Sequence, residues 1–184
     1  MNKCLLLLAG ILSIVVVGCK DDDSTPELKV SFSMKAWEYN NGMIELGEVK
    51  NTFSEKEPIA FDMTLTNVGL TTAHIEYGCG FDIIEIYNEA GQQVYSSEVT
   101  TDGCSAEWHV DIVYSGESIG SRTFWDQELY HQDPTTGEIS ATGEYLPAGH
   151  YTVKARAHYY VDSSENEPSE IIFTDQSLII EATE

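Results

Sequence analysis

From residue 28 onward, apolar and polar side chains alternate almost one for one, and this period of two constrains the fold more than any other feature of the chain. Successive side chains of an extended strand point to opposite faces, so such a run buries one face and wets the other. Leu28, Val30, Phe32, Met34 and Ala36 alternate with Lys29, Ser31, Ser33 and Lys35. The pattern returns at Ile59, Phe61, Met63 and Leu65, at Ala73, Ile75 and Tyr77, at Trp108, Val110, Ile112 and Tyr114, and at Tyr151, Val153, Ala155, Ala157 and Tyr159. Past residue 18, no stretch longer than a turn or two keeps the helical period of 3.6 residues. The expectation is an all-β chain.

Turn chemistry divides the strands. Asn41-Gly42 predicts a tight hairpin leading into Met43, Ile44 and Leu46; Asn67-Val68-Gly69, Glu89-Ala90-Gly91-Gln92 and Ser115-Gly116-Glu117 predict further turns. Consecutive Ile83 and Ile84, between Phe81 and Tyr87, predict a strand buried on both faces or one with a bulge. Val94-Tyr95 and Ile119 to Trp125 read as strands, and the last strand, Ile171 to Ile180, carries an interruption at Asp175-Gln176. About eight to ten short strands with regular turns fit a two-sheet antiparallel β-sandwich better than a barrel. The longest irregular segment runs from Asp126 to Tyr145, and a long loop in a compact domain is a functional candidate. Tyr130, His131 and Asp133 within it are the expected partner-binding residues.

The N-terminus follows different rules. Met1, Asn2 and Lys3 precede an apolar run from Leu5 to Val17, shorter than the roughly 20 residues needed to span a bilayer, and the run stops at Gly18-Cys19-Lys20-Asp21-Asp22-Asp23. That is the pattern of a secretory signal. Val16-Val17-Gly18-Cys19 resembles the lipobox of bacterial lipoproteins, which implies cleavage before Cys19 and a lipid on its thiol; Cys4 leaves with the signal. Lys20-Asp21-Asp22-Asp23 resembles the short acidic motif of surface-exposed lipoproteins of the Bacteroidetes group. These resemblances imply a cell-envelope protein, anchored in the outer membrane and exposed at its surface, whose first partner is the lipid bilayer. Each buried lipid methylene adds about 0.8 kcal/mol of membrane affinity, and two chains make an anchor stable. The expected organisation is a signal peptide over 1–18, an acidic tether over 19–26 and one domain over 27–184. Taking 18 residues from 184 leaves 166, enough for one core and not comfortably for two.

Charge and cysteines narrow the function. With 31 acidic against 9 basic residues, a net charge of −22, the chain lacks the clustered Lys and Arg that bind phosphate backbones, and nucleic acid is not an expected partner. Cys79 and Cys104, in an exported domain, read as a disulfide closing a loop of 26 residues. On the chain-entropy model such a loop stabilises by roughly 3.5 kcal/mol. A two-cysteine metal site is the rival, without a close Cys-x-x-Cys or a histidine at ligand spacing to support it.

Motifs of catalysis are missing. Gly116-Glu117-Ser118-Ile119-Gly120 has the Gly-x-Ser-x-Gly spacing but leads from a turn into an alternating strand rather than into a helix, and no His-Glu-x-x-His, phosphate loop or EF-hand pattern occurs. His74, His109, His131, His150 and His158 are scattered, and neighbouring carboxylates such as Asp126 and Glu128 arise by chance in so acidic a chain. The expectation is a protein that is not an enzyme and carries no cofactor. Asp133 to Glu138 offers oxygen ligands to calcium, but an Asp-Pro turn with a glycine exit is the plainer account. Trp108 and Trp125 fall within alternating strands and are expected in the core, whereas Trp37 is open to either reading.

From about residue 57 to 160 the order of features resembles the intracellular proteinase inhibitor BsuPI family. The resemblance is carried by Ile59 to Leu65 ending at Asn67, by Phe81 to Tyr95, by Ser115-Gly116-Glu117-Ser118 followed by Phe124-Trp125-Asp126, and by Leu146-Pro147-Ala148-Gly149-His150-Tyr151-Thr152-Val153. It implies an immunoglobulin-like sandwich that presents a loop to a protease. The chain differs from that family in its lipid signal, its N-terminal hairpin, its cysteine pair and the insertion before Leu146. The expected function is therefore a membrane-anchored extracytoplasmic binding module that contacts a protease, or another envelope protein, through the 126–145 segment. A surface adhesion or glycan-binding accessory lipoprotein and a structural envelope component are the alternatives.

Overall fold

The computed structural model of the chain describes residues 26–77, 81–100, 109–133, 135–136, 138–159 and 170–183. Residues 1–25, with Cys19 among them, and Cys79, Cys104 and Trp108 lie outside them, and so do the expected signal peptide, lipid anchor, disulfide and core position of Trp108. In chain order the elements are β1 (Leu28–Asn40), β2 (Met43–Val49), β3 (Thr52–Ser54), β4 (Ile59–Asn67), β5 (Ala73–Tyr77), β6 (Asp82–Asn88), β7 (Gln93–Ser96), the one-turn helix α1 (Ser97–Thr100), β8 (His109–Val113), β9 (Ser118–Trp125), β10 (Glu128–Gln132), β11 (Ile139–Tyr145), β12 (Gly149–Tyr159) and β13 (Glu170–Glu181).

Two sheets face each other, one in the order β2-β1-β4-β9 and the other in the order β3-β13-β12-β6-β7. All pairings within them are antiparallel except β3 on β13. The chain is thus the all-β, immunoglobulin-like sandwich that its alternation predicts, with consecutive strands distributed between sheets in Greek-key fashion. Two further ribbons, β5–β8 and β10–β11, stand apart from the main sheets.

The core forms where the alternating faces meet. Met34, Ile59, Phe61, Met63 and Leu65 pack towards Ile84, Ile86, Val153, Ala155, Leu178 and Ile180, all buried. Phe61 lies between Phe32 and Trp125, at ring separations of 6.2 and 6.3 Å, and Trp125 stacks on Tyr95 at 4.4 Å. Trp125 is therefore core, as expected, and its indole N–H donates to the Glu128 carbonyl at 2.9 Å. At the start of β12 the Tyr151 hydroxyl donates to the Pro147 carbonyl at 2.7 Å, the tyrosine corner that pins a strand crossover in sandwiches of this type.

The register fixes which loops share an end. Leu28 opposes Asn67 and Ala36 opposes Ile59 across β1 and β4; Thr66 opposes Ser118 and Ile59 opposes Trp125 across β4 and β9. Residues 27, 67–70 and 115–117 therefore lie at one pole, and residues 37–58 and 125–128 at the other. Buried amides hold both corners. Asn67 donates to the Thr71 and Val113 carbonyls at 2.7 and 2.9 Å and accepts from the Gly69 N–H. Gln127, in the left-handed region at φ 68°, donates to the Ser54 and Glu57 carbonyls at 2.9 and 2.8 Å and accepts from the Lys56 N–H at 3.0 Å.

Several expectations are corrected in detail. The segment 126–145 is no irregular loop but the β10–β11 hairpin. Ile83 and Ile84 mark neither a strand buried on both faces nor a bulge at that point: Ile84 is buried and Ile83 only half-buried. The irregularity falls three residues on, where β6 slips against β7 between Ile86 and Tyr87. Asp175-Gln176 does not interrupt β13, which stays in step with β12 throughout. Gln176 instead donates across the sandwich to the Phe32 carbonyl at 3.1 Å, so the polar break is a link between the sheets. Most consequential is β8, where Val113 is buried while Val110, Ile112 and Tyr114 are exposed: the apolar set of this strand is on the outer face.

Candidate functional site

The segment singled out by its length is an ordered hairpin. Gln127 fastens its base to the loop before β4, and Leu146, at its exit, donates its N–H to the Gln127 carbonyl at 2.9 Å. Further along, the Thr142 hydroxyl reaches the Leu129 carbonyl and the Gly143 N–H reaches the Glu128 carboxylate. At the turn, one Asp133 oxygen accepts from the Thr135 and Thr136 N–H groups at 2.7 and 3.0 Å, the local bonding that makes aspartate a turn residue. Those two bonds hold the Asp133 carboxyl below the usual carboxylate range.

Tyr130, His131 and Asp133 share this hairpin but not one face of it. Tyr130 and Gln132 point the same way and, with Gln93, Val94, Tyr95 and Ser96, line a shallow pocket of about 180 Å³. Burial, reinforced by the Asp126 and Glu128 charges, pushes the Tyr130 hydroxyl above its ordinary pKa. His131 alternates to the exposed side, and Asp133 is occupied by its turn. The more available surface is β11, whose residues are almost all exposed and whose outer edge pairs with no strand among the described residues. An extended strand with free main-chain groups is the shape accepted by partners that add a strand of their own.

A second feature, not foreseen, lies on the outer face of the sheet β2-β1-β4-β9. Ser31, Ser33, Thr64 and Gly120 line a groove of about 450 Å³ together with Asp62 and Arg122. Asp62 accepts from the Lys35 ammonium at 2.8 Å and from the Arg122 guanidinium. Burial pushes the Asp62 carboxyl upwards, but the two cations outweigh it and hold the pKa below the ordinary value. Arg122 lies 6.0 Å from the Phe124 ring, which Trp37 meets edge-on at 5.2 Å. Sequence reasoning missed this cluster because Lys35, Asp62 and Arg122 belong to three strands whose pairing the alternation does not specify. The available signal was a lone charge, Asp62, inside an otherwise uncharged central strand.

Beyond the start of β4 the tip of the β1–β2 hairpin also stands free, with Tyr39, Met43 and Ile44 exposed. Asn41 and Gly42 adopt φ values of 50° and 85°, the left-handed pair that a two-residue turn requires. Among the described residues no group of three or more His, Cys, Asp or Glu side chains could hold a metal ion, and no helix is long and apolar enough to cross a membrane.

No protein-family model matches the chain, and no curated protein matches it in sequence. Several solved structures superpose on most of the chain at low scores and low identity. A Bordetella pertussis protein described as ApaA superposes with a TM-score of 0.44 and 12% identity, over 84% of this chain and 94% of that one. The C-terminal domain of wzt gives 0.43 and 12%, over 87% and 75%. A β-glucosidase from Listeria innocua gives 0.40 and 8% over 85% of this chain, which spans only 16% of that enzyme. At TM-scores below 0.5 these likenesses assign neither a family nor an activity.

Proposed function

We propose that the chain is a lipid-anchored extracytoplasmic binding module, held to the envelope through Cys19, that offers the β10–β11 hairpin to a protease in the manner of a proteinase inhibitor. The observation that supports this reading best is the separation of the poles. The segment following Cys19 enters the domain beside residues 67–70, whereas the hairpin is fastened at Gln127, at the opposite pole. A partner engaged at that base would be kept clear of the membrane. The hairpin is ordered in advance by Gln127, Thr142, Gly143 and the Asp133 turn, so binding would cost little further ordering.

The test is retention of a protease from envelope and culture extracts, with inhibition of that protease by the purified protein. Both are expected to disappear when residues 128–145 are replaced by a short Gly-Ser turn. Retention and inhibition indifferent to that replacement would overturn the inhibitor reading.

The groove beside Asp62 favours a second reading, a glycan-binding accessory protein, because hydroxyls, a charge pair and a nearby aromatic ring are groups that meet a sugar's polar and apolar faces. A Cβ at Gly120 would lie 3.6 Å from the Met63 carbonyl oxygen and 3.9 Å from the Thr64 hydroxyl, ordinary contact distances, so Gly120→Val is the substitution chosen to narrow the groove. Oligosaccharide binding in a glycan array that Gly120→Val abolishes would establish this reading; binding unchanged by it would remove the groove from consideration.

A further inference from the structure

The pole where the domain begins carries an apolar surface that the fold does not use. Leu70 is 96% exposed, Tyr114 56% and Val68 48%, and Ile112 continues the patch along β8 at 50%. Hydrogen bonds bring these residues together from separate segments. The Ser115 hydroxyl donates to the Gly69 carbonyl at 2.6 Å, and the Gly116 N–H donates to the Asn67 carbonyl at 2.7 Å. The turn after β8 is thereby held against the loop that contains Val68 and Leu70. A leucine left almost wholly in water on a tied-down loop, beside a tyrosine with its polar tip, is the composition of a surface that meets another phase.

The same loop receives the start of the domain. The Glu27 carbonyl accepts from the Val68 and Gly69 N–H groups at 2.8 and 3.2 Å, so the chain leaves for Cys19 from within the patch itself. Eight residue steps separate Glu27 from Cys19, and a fully extended chain covers at most about 28 Å over that span. A lipid on Cys19 therefore cannot lie farther than this from Leu70's neighbours. Tethering on that scale raises the effective concentration of the membrane at the patch, so even weak insertion becomes populated.

We infer that Leu70, Val68 and Tyr114 form a membrane-docking face, which seats this pole on a zwitterionic bilayer and points the β1–β2 tip and the base of the β10–β11 hairpin away from it. The inference rests on the reading of Cys19 as the lipid anchor. Glu27 and Glu117 border the face, Glu27 beside Val68 and Gly69 and Glu117 through its carboxylate, which accepts from the Tyr114 N–H, so anionic headgroups would oppose the contact and phosphatidylcholine is the fitting surface.

Tyr114 and Tyr39 provide an internal comparison. They are the same residue type at opposite poles, 56% and 71% exposed, and in free solution they would be oxidised at similar rates. The mature, lipidated protein is reconstituted into phosphatidylcholine vesicles and footprinted with hydroxyl radicals, with the N-terminal peptide weighed in the same samples. Several-fold protection of Tyr114 relative to Tyr39 is expected, and Leu70→Asp, while still vesicle-bound, should return Tyr114 to the rate of Tyr39. Equal rates in protein whose Cys19 mass shows acylation would overturn the docking face and leave the anchor standing. An unacylated Cys19 in protein that does not sediment with vesicles would overturn the anchor, and the inference with it. Protection that follows protein concentration rather than the presence of vesicles would assign the face to a second copy of the chain and overturn membrane docking.

Discussion

The Gln127 amide is buried, and all its hydrogen bonds go to main-chain groups of the loop before β4. Truncation would leave two carbonyls and one N–H without partners, and an unpaired buried group costs about 1–3 kcal/mol. Gln127→Ala is expected to destabilise the domain by about 3 kcal/mol, read as a lower midpoint in urea with an unchanged slope. Tyr77 makes a prediction in alkali. Burial, together with a 2.6 Å hydrogen bond to the Asp111 carboxylate, pushes its pKa from 10.0 up to about 12. The folded state therefore holds this proton more tightly than the unfolded chain, and its contribution is complete below about pH 10 and lost as pH rises through about 12. Stability followed across that window should fall less steeply in Tyr77→Phe than in the parent. Neither role was legible in the sequence, where Gln127 lay within a presumed loop and Tyr77 was simply the last apolar residue of a run.

At the scale of elements, the hairpins and most strands were readable because turn residues and alternation are local signals. Asn41-Gly42 specifies its own turn, and Ile59 to Leu65 buries the apolar set that its pattern announces. β8 obeys the same period but turns the opposite way, since alternation defines two faces without naming the inner one. Its register with β5, which sets Ala73 opposite Val113, decides the matter by burying that pair. The hairpin at 126–145 escaped notice because β11, Ile-Ser-Ala-Thr-Gly-Glu-Tyr, is exposed and has no apolar face to betray it. Gly69 joins these elements. A Cβ there would lie 2.6 Å from the Glu27 nitrogen, a backbone atom that cannot swing aside. Gly69→Ala should displace the start of β1 and raise hydrogen exchange at Val68 and at residues 28–30, leaving the β12–β13 pair protected.

Across the whole molecule, opposition between a strongly acidic chain and a small core sets the margin of stability. The charge of −22 repels itself, and the clusters that offset it, such as Asp62 with Lys35 and Arg122, are local. A cross-link between Cys79 and Cys104 is the expected further support, and on that reading a reducing agent should lower the melting temperature of the parent but not of a Cys79→Ala, Cys104→Ala variant. An unchanged melting temperature on reduction would argue against the pairing. The amino-acid sequence by itself determined that this chain is all-β and where it turns, because period and turn chemistry act between near neighbours. It also carries linear stretches that resemble a secretory signal and a lipobox, the basis of the proposed anchor at Cys19. Only the tertiary structure decided which face of β8 is wet, that Lys35, Asp62 and Arg122 meet, and that Leu70 and Tyr114 stand beside the entry of the chain. Each of these depends on register between strands distant in sequence, and a period of two leaves that register open.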